Sequence, residues 1–338
     1  MIKIAVDAMG GDHAPNITVQ GAELALKTFN DIEIALFGDE NLIRPLIATS
    51  NERLHIVHCD DYFRMDETDL AFAVRKRKDA SLIKAMTLTR EGEYDAVVSA
   101  GPTAAVVSGG TLVVKRIPGF HRPALAPLIP QVDGSWMLLL DSGANAECRP
   151  EWLLQFAQIG SIFQERVNGI NNPRVGLLNN GEEEGKGRPI DIETYDLLKH
   201  SNLNFIGNVE GKDIINGVCD VLVTDGFTGN IALKTMEGVA KGFGTILKEA
   251  LKSSALGMLG GLLAKKNLNQ IKTRFDASEV GGAVLFGTNA VVIKAHGSSD
   301  AKALMNAIRQ ARETVKQNVI PTIKEVIAEM KKEEKVEV

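Results

Sequence analysis

Three polar side chains lie in glycine-rich surroundings that suit the handling of an anion. Lys186 has a glycine on either side, Asn230 follows a glycine and His296 precedes one. An ammonium, an amide and an imidazole can each bind phosphate or stabilise a developing oxyanion. Each also has a plainer interpretation, as a solvated lysine, a helix-capping asparagine and a buried histidine. We predict that Lys186, Asn230 and His296 are the catalytic residues.

Glycines and small polar residues also follow several of the predicted strands. Glycine lets the backbone approach a ligand closely, and the free N–H groups of a helix start favour an anion. One such loop is usually only a turn, but several at the same edge of one sheet would form a cleft for phosphate. We predict that this cleft is lined by Asp7, Gly10, Gly11, His13, Ser99, Gly101, Thr103, Asp225, Gly229, Gly297, Ser298 and Ser299.

Other chemistries lack their usual motifs in this sequence. No G-x-G-x-x-G fingerprint follows the first predicted strand, and neither G-x-x-x-x-G-K-[ST] nor G-x-S-x-G occurs. The glutamates at 182–184 would repel a triphosphate from the loop around Lys186. The candidate metal ligands Asp7, Asp12, Asp141 and Asp225 lack the spacing of a metal site. We therefore predict neither a cofactor nor a metal.

Short apolar runs alternate with helical patterns along the chain. The predicted strands are Ile2–Val6, Glu33–Phe37, Leu54–His58, Ala96–Ser99, Met137–Leu140, Arg174–Leu178, Asn204–Ile206, Val221–Thr224 and Ala290–Ile293. The predicted helices are Thr18–Phe29, Ser81–Glu91, Ala104–Arg116, Glu151–Val167, Ile192–Lys199, Gly229–Ser253 and Ser299–Lys332. Near-continuous apolar strands separated by helices predict a mostly parallel sheet in a three-layer α/β/α fold. Ligands then bind beyond the carboxyl ends of the strands.

Composition and length narrow the function classes. The 338 residues, 44% of them hydrophobic, predict one large domain over residues 1–338 or two intertwined subdomains. A net charge of −5 with only 5% aromatic residues argues against a nucleic-acid partner. Three widely spaced cysteines without a Cys-x-x-Cys pair are typical of a reducing compartment.

Neither a signal peptide nor a spanning segment is recognisable. A strand pattern begins at Ile2, and no apolar run reaches the roughly 18 residues that a spanning helix needs. We predict a cytoplasmic protein that can contact the inner face of the membrane peripherally.

The glycine clusters closely resemble those of the phosphate acyltransferase family of bacterial phospholipid synthesis, known as PlsX. The matching stretches are IAVDAMGGDHAP (4–15), VGLLNNGEEEGKG (175–187), FIGNVEG (205–211), DGFTGNIALKTMEG (225–238) and VVIKAHGSSDAKA (291–303). Four positions depart from the family's usual motifs: Pro102 and Ala104 in SAGPTA, Ser142 in LDSGAN and Val284 in GGAVL. They leave the detailed role of the 99–104 loop open.

The resemblance implies a Rossmann-like α/β/α fold similar to isocitrate and isopropylmalate dehydrogenases, and a homodimer. The implied reaction joins the acyl group of acyl carrier protein (ACP) to inorganic phosphate. Its acyl phosphate product would be handed to a membrane acyltransferase for glycerol-3-phosphate acylation. Phosphate is already a nucleophile at neutral pH, and a thiol with a pKa of about 8.5 is a good leaving group. Such an enzyme must therefore mainly position the two reactants and stabilise the oxyanion.

Two surface segments suit the implied partners. Arg75, Lys76, Arg77 and Lys78 form a basic run that could steer an acidic carrier protein, although most such runs are solvated faces. The glycine-rich segment 252–266 is apolar and bracketed by lysines. Its Leu256, Leu259 and Leu263 would share one face of a helix that could insert shallowly into an anionic bilayer. A core or dimer contact is the equal alternative for this segment.

Other functions remain open at this point. A phosphotransacetylase acting on acyl-CoA would use the same fold and chemistry. A dehydrogenase is less favoured because the dinucleotide fingerprint is missing. A phosphate-binding membrane scaffold would need only the anion site, without turnover.

Overall fold

The computed structural model describes residues 1–268 and 281–336. Within these ranges, eleven strands form a single sheet. The strands are β1 (Ile2–Asp7), β2 (Ile32–Gly38), β3 (Leu54–His58), β4 (Ala96–Ser99), β5 (Ala124–Pro130), β6 (Trp136–Leu140), β7 (Arg174–Asn179), β8 (Asn204–Glu210), β9 (Val221–Val223), β10 (Gly282–Phe286) and β11 (Val291–Ala295). Their order across the sheet is β3-β2-β1-β4-β11-β10-β5-β6-β9-β7-β8.

Helices cover both faces of this sheet. They are α1 (Asn16–Thr28), α2 (Glu40–Ile43), α3 (Leu70–Lys76), α4 (Ser81–Glu91), α5 (Thr103–Gly109), α6 (Pro150–Asn168), α7 (Pro189–Lys199), α8 (Gly226–Lys252), α9 (Ala255–Leu263), α10 (Ala301–Lys316) and α11 (Val319–Val336). The arrangement confirms the three-layer α/β/α class that the alternating pattern predicted.

The sheet consists of two parallel halves that run in opposite directions. The first half contains β1 to β4 and β11, and the second half contains β6 to β9. Between them, β10 is antiparallel to both β11 and β5, and β5 is antiparallel to β6. The carboxyl ends of the strands in the two halves therefore lie at opposite edges of the sheet. Of the several glycine loops predicted to share one edge, those after β1, β4 and β11 do so, whereas the loop after β9 that leads to Gly229 begins at the opposite edge.

The two faces carry differently organised cores. One face carries a single large cluster that packs against α1, α6, α10 and α11. The other face carries two clusters, one beneath α3, α4 and α5 and one beneath the first turns of α8. Leu125 belongs to the former and Ile129 to the latter, and both lie on the same face of β5 because side chains alternate along a strand. The pair α4–α5 and the start of α8 therefore cover the same face of the sheet.

Two strands were not predicted from the sequence. Strand β5 contains Pro127 and Pro130, which normally argue against a strand inside a sheet. Strand β10 begins at Gly282, directly after another glycine, and glycine clusters indicate a turn. Both are the antiparallel strands that reverse the sheet, so missing them concealed the change of direction.

Two predicted helices also differ from those observed. The helix predicted over Ala104–Arg116 is α5, and it continues only as a π-helical turn over Gly110–Val114. The helix predicted over Ser299–Lys332 is divided into α10 and α11. The division falls at Asn318, whose φ of 53° lies in the left-handed region that interrupts a helix.

Over the described ranges, no helix combines the length and the apolar composition that crossing a bilayer requires.

Candidate active site

Asp7, at the end of β1, is the centre of a buried hydrogen-bonded group. Its carboxylate accepts hydrogen bonds from Ser81 Oγ at 2.6 Å and Ser99 Oγ at 2.7 Å. Ser99 Oγ in turn accepts one from the Gly101 amide at 3.0 Å. Burial raises the pKa of Asp7, whereas the two serines and Lys294 oppose that rise. The loops after β1 and β4 are thus tied to each other and to the start of α4.

The glycines of the first half allow three loops to interlock. A Cβ on Gly10 would lie 2.6 Å from both Asp7 Oδ2 and the Gly101 amide nitrogen. Gly11, with a φ of +115°, lies against the carbonyl of Gly297, which also accepts a hydrogen bond from the Asp12 amide at 2.8 Å. The structure thus brings together Asp7, Gly10, Gly11, Ser99, Gly101 and Gly297 from the predicted set. Glycine is required at Gly10 because a Cβ atom there would collide with the neighbouring loop, and at Gly11 because its positive φ strains other residues where the loops pack closely.

Lys294 is a buried cation that was not predicted as a site residue from the sequence. It lies in β11 beside Ser99 of β4, is 8% exposed, and donates a hydrogen bond to the carbonyl of Ala295. Burial, and secondly the positive charge of Lys234, lower the pKa of Lys294 to about 8, while Asp12 and Asp7 act in the opposite direction. The available signal was a lysine inside the otherwise apolar run VVIKA.

His296, two residues after Lys294, is also affected by the positive charge of Lys234. Partial burial and then the charge of Lys234 lower the pKa of His296 below its ordinary value, and Glu237 opposes this. The His296 Nδ1 atom accepts a hydrogen bond from the Ser298 amide at 3.2 Å. In the neutral ring the hydrogen is therefore on Nε2, which leaves Nε2–H available as a donor.

Helix α8 presents Asn230 and Lys234 on one face, because residues four apart are neighbours on a helix. Glu237 lies on the same face and accepts a hydrogen bond from Lys234 Nζ at 2.7 Å. Lys234 and Glu237 both act on His296, so this face of α8 is directed toward the end of β11. Asn230, one turn nearer the helix start, lies beside Gly143. Asn230 was predicted from the sequence, whereas Lys234 was not.

The loop after β6 is organised around the buried carboxylate of Asp141. It accepts hydrogen bonds from four backbone amides, at 2.7–3.1 Å. The donors are Leu125, Gly143, Ala144 and Asn145. The side-chain amide of Asn145 adds a fifth hydrogen bond at 2.8 Å. Burial nevertheless raises the pKa of Asp141.

Asp225 caps the start of α8. Its carboxylate accepts from the Thr228 amide at 2.8 Å and pairs with Arg188 at 2.5 Å. Gly229, in the next turn, lies so close to Asp141 that a Cβ would be 1.9 Å from its carbonyl oxygen. Asp141 and Asp225 thus fix the start of α8, and their hydrogen-bonding capacity is used within the protein.

Lys186 lies in the loop after β7, in the second half of the sheet. Its side chain is exposed, its amide donates to the Glu183 carbonyl at 3.1 Å, and its carbonyl accepts from Asn179 Nδ2 at 3.0 Å. Across the described parts of the chain, no hydrogen bond or ion pair joins Lys186 to His296 or Asn230. His296 and Asn230 therefore both lie near Lys234, whereas Lys186 lies in a loop that reaches the start of α8 through the ion pair of Arg188 with Asp225.

The remaining predicted phosphate ligands lie at the entrances of helices. His13 and Thr103 are exposed, His13 just before α1 and Thr103 as the first residue of α5. Ser298 Oγ is 2.9 Å from His296 Nδ1. Ser299 is 8% exposed, and within the described residues its Oγ atom has no hydrogen-bond partner. A buried hydroxyl beside His296 that has no partner is consistent with a ligand site.

Four substitutions relative to the usual family motifs are accommodated without disruption. Pro102 precedes the first turn of α5, where a missing N–H costs nothing. Ala104 is exposed in that turn. Ser142 Oγ donates to the carbonyl of Leu125 at 2.9 Å. Val284 is fully buried in β10.

The proposed partner segments differ in exposure and charge. Arg75 and Lys76 lie in the last turn of α3, but Arg77 forms ion pairs with Asp61 and Glu67. The segment 252–266 contains α9, whose Leu256, Leu259 and Leu263 are 83%, 54% and 80% exposed.

Comparison with solved structures defines the class of fold. A phosphotransacetylase from Streptococcus pyogenes matches 95% of this chain and 94% of its own, with a TM-score of 0.59 and 18% identity. A putative 4-hydroxythreonine-4-phosphate dehydrogenase from Salmonella typhimurium matches 93% and 99%, with a TM-score of 0.52 and 14% identity. The fold is therefore the α/β/α class shared by phosphotransacylases and this type of dehydrogenase, as predicted.

Sequence comparison identifies the family. A family model described as "Fatty acid synthesis protein" matches residues 2–322. A phosphate acyltransferase from Anoxybacillus flavithermus is 50% identical over 330 residues, covering 98% of this chain and all of that one. The chain belongs to the phosphate acyltransferase family. It is accordingly an acyltransferase enzyme, which confirms both the predicted family and the predicted enzyme class.

Proposed function

We propose that the enzyme transfers an acyl group from ACP to inorganic phosphate, which binds between the end of β11 and α8. The observation that carries this proposal is the group of Lys294, His296 and Lys234. Burial and then the charge of Lys234 lower the pKa of Lys294 and of His296, so the two lysines repel each other in the absence of a ligand while His296 is neutral. A phosphate dianion would relieve that repulsion.

The reaction requires little beyond this arrangement. A phosphate oxygen attacks the thioester carbonyl carbon, a C–O bond forms, and the carbonyl oxygen becomes an oxyanion. Collapse of this intermediate breaks the C–S bond, and the carrier leaves as a thiolate that takes a proton from solvent. Lys294 and Lys234 would hold the phosphate, and the Nε2–H of His296 would stabilise the oxyanion.

Asn230 and Lys186 have different places in this proposal. Asn230 lies one helical turn from Lys234 and would orient the phosphate or the thioester. Lys186 would act only if its loop meets the bound substrate, because its exposed side chain lies in the second half. The interlocked loops containing Gly10 and Gly101 would form the wall of the site.

An assay of thiol release tests this function. Wild-type protein should consume acyl-ACP only when phosphate is present, and faster than acyl-CoA of the same chain length. His296→Ala and Lys234→Met should each lower kcat about 10²-fold, the usual cost of removing one oxyanion or phosphate donor. Lys248→Met provides a control, because this exposed lysine lies 14 residues further along α8, about 21 Å away. Preference for acyl-CoA would instead identify a phosphotransacetylase, and phosphate binding without turnover would identify a scaffold.

Helices α8 and α9 carry exposed apolar surfaces that fit a second copy and a bilayer. Val239, Phe243 and Ile246 are 65%, 67% and 66% exposed and follow one another at i, i+4 and i+7. We propose that this stripe is the homodimer contact. The leucine face of α9, followed by Lys265 and Lys266, would contact the inner membrane surface and allow the acyl phosphate to pass to a membrane acyltransferase.

Matched glutamate substitutions separate the two roles. Phe243→Glu should convert the dimer to a monomer in analytical ultracentrifugation and leave vesicle binding measurable. Leu259→Glu should reduce flotation with anionic vesicles severalfold and leave the dimer intact. If Leu259→Glu dissociated the protein instead, α9 would belong to the dimer contact. Unchanged flotation would remove the membrane role.

A further inference from the structure

A positively charged cavity of about 420 Å³, whose lining residues are all distinct from those of the proposed phosphate site, lies where the loop before β5 meets the start of α6. We refer to it as the arginine pocket. It is lined by Arg116, His121, Arg122, Arg149, Glu151 and Trp152.

The indole of Trp152 organises the cations of this pocket. The guanidinium carbons of Arg122 and Arg149 lie 5.3 and 5.9 Å from the centre of the indole ring, within the range of cation–π interaction. The His121 ring is stacked on the same indole at 6.4 Å, and its carbonyl accepts a hydrogen bond from Arg116. Because the ring is already covered, an aromatic ligand has little room to stack. The guanidinium edges remain suited to carboxylates or phosphates.

The sequence around the pocket is unusually poor in acidic residues. From residue 96 to residue 132 there is no aspartate or glutamate, whereas Lys115, Arg116 and Arg122 fall in this stretch. Glu151 is the one acid among the lining residues. A local excess of positive charge in a protein of net charge −5 attracts acidic partners.

The pocket is connected to the start of α8. Arg122 is followed by Pro123, whose carbonyl accepts a hydrogen bond from Asn145 Nδ2 at 2.7 Å. The Asn145 carbonyl accepts one from the amide of Gly226, the first residue of α8, at 2.8 Å. A partner bound at the pocket would therefore lie next to the loop that positions Asn230.

We propose that the arginine pocket is the docking point for acidic side chains of the carrier protein that delivers the acyl group. This inference rests on the proposed function. Apart from Trp152, the lining side chains are exposed, so the pocket is open. Small ligands need most of their surface buried, which favours an acidic group carried on a larger partner.

The basic run of residues 75–78, at and just after the end of α3, fits this role less well. Arg77 is neutralised by Asp61 and Glu67, and the segment 60–79 contains six acidic residues and only five basic ones. Electrostatic steering depends on the net local field, so the arginine pocket should attract an acidic carrier more strongly.

Steady-state kinetics with two thioester donors test the proposal. The variant Arg122→Glu/Arg149→Glu should raise KM for acyl-ACP about tenfold, more at low salt, and leave KM and kcat for an acyl-pantetheine thioester, which carries no acidic group, unchanged. The matched control Arg75→Glu/Lys78→Glu should change KM for acyl-ACP less than twofold. If the charge-reversed protein does not fold, the neutral variant Arg122→Gln/Arg149→Gln takes its place. It should raise KM for acyl-ACP by a smaller factor.

The outcomes distinguish a failure of the docking role from a failure of the proposed reaction. An unchanged KM for acyl-ACP in both arginine variants overturns the docking role, as does a larger effect of the control, and either result leaves the proposed reaction intact. A wild-type enzyme that uses acyl-CoA but not acyl-ACP overturns the proposed function and the docking role with it. An equal loss with both donors also contradicts docking, because it indicates a disturbed active site.

Discussion

The loops of the two sheet halves contain similar residues, but their charged side chains differ in how completely they are paired. In the second half, the carboxylates of Asp141 and Asp225 are saturated by backbone amides, Asn145 and Arg188. In the first half, Asp7 is bonded to two serines, but the Lys294 ammonium faces the charge of Lys234 rather than a full set of anions. Saturated charges hold a structure in place, whereas cations that repel one another leave room for an anionic ligand.

This difference suggests a division of work. The second half fixes the start of α8 through the loop around Asp141, and the first half contributes the end of β11. Helix α8 connects them, because its second turn lies against Gly143 through Asn230 and its third turn carries Lys234. We therefore expect substitutions in the second half to affect stability first, and substitutions at the β11 end to affect phosphate binding first.

The largest effect should follow Asp141→Ala. Removal of this carboxylate leaves several buried amides without an acceptor, at about 1–3 kcal/mol each, so the free energy of unfolding should fall by at least about 3 kcal/mol. Urea unfolding measures this. Asp133→Ala is the matched control, because among the described residues its carboxylate bonds to Ser135 in its own exposed turn, and it should have little effect. A small loss for Asp141→Ala would contradict the division of work.

The same unfolding curves address the domain organisation. We propose that residues 1–338 unfold as one domain, because β5 and β10 hydrogen-bond the two halves into one sheet. Asp141→Ala should then shift a single transition. Two transitions, of which only one moves, would indicate two independently stable subdomains.

Much of the fold could be predicted from the sequence, because parallel strands buried on both faces are continuous apolar runs. The antiparallel strands β5 and β10 could not, since their prolines and glycines indicate turns. Asp7, His296 and Asn230 could be selected because a glycine lies within three residues of each. Lys294 and Lys234 could not, because their importance arises where β11 and α8 meet in space. The position of Lys186 depends on strand direction, which the missed strands set.

The smallest effect should appear in the pH dependence of phosphate binding. The pKa of Lys294 is lowered to about 8, so this group loses its charge as the pH rises through that value. Calorimetry should show the Kd for phosphate rising about tenfold between about pH 7 and pH 9. His296 does not contribute, because its lowered pKa leaves it neutral throughout. Lys294→Arg should bind with a flat profile, since arginine stays charged, and Lys234→Met should move the rise to higher pH by removing a repelling charge. A wild-type profile as flat as that of Lys294→Arg would show that Lys294 does not bind the anion, and the first half would then lose its assigned role.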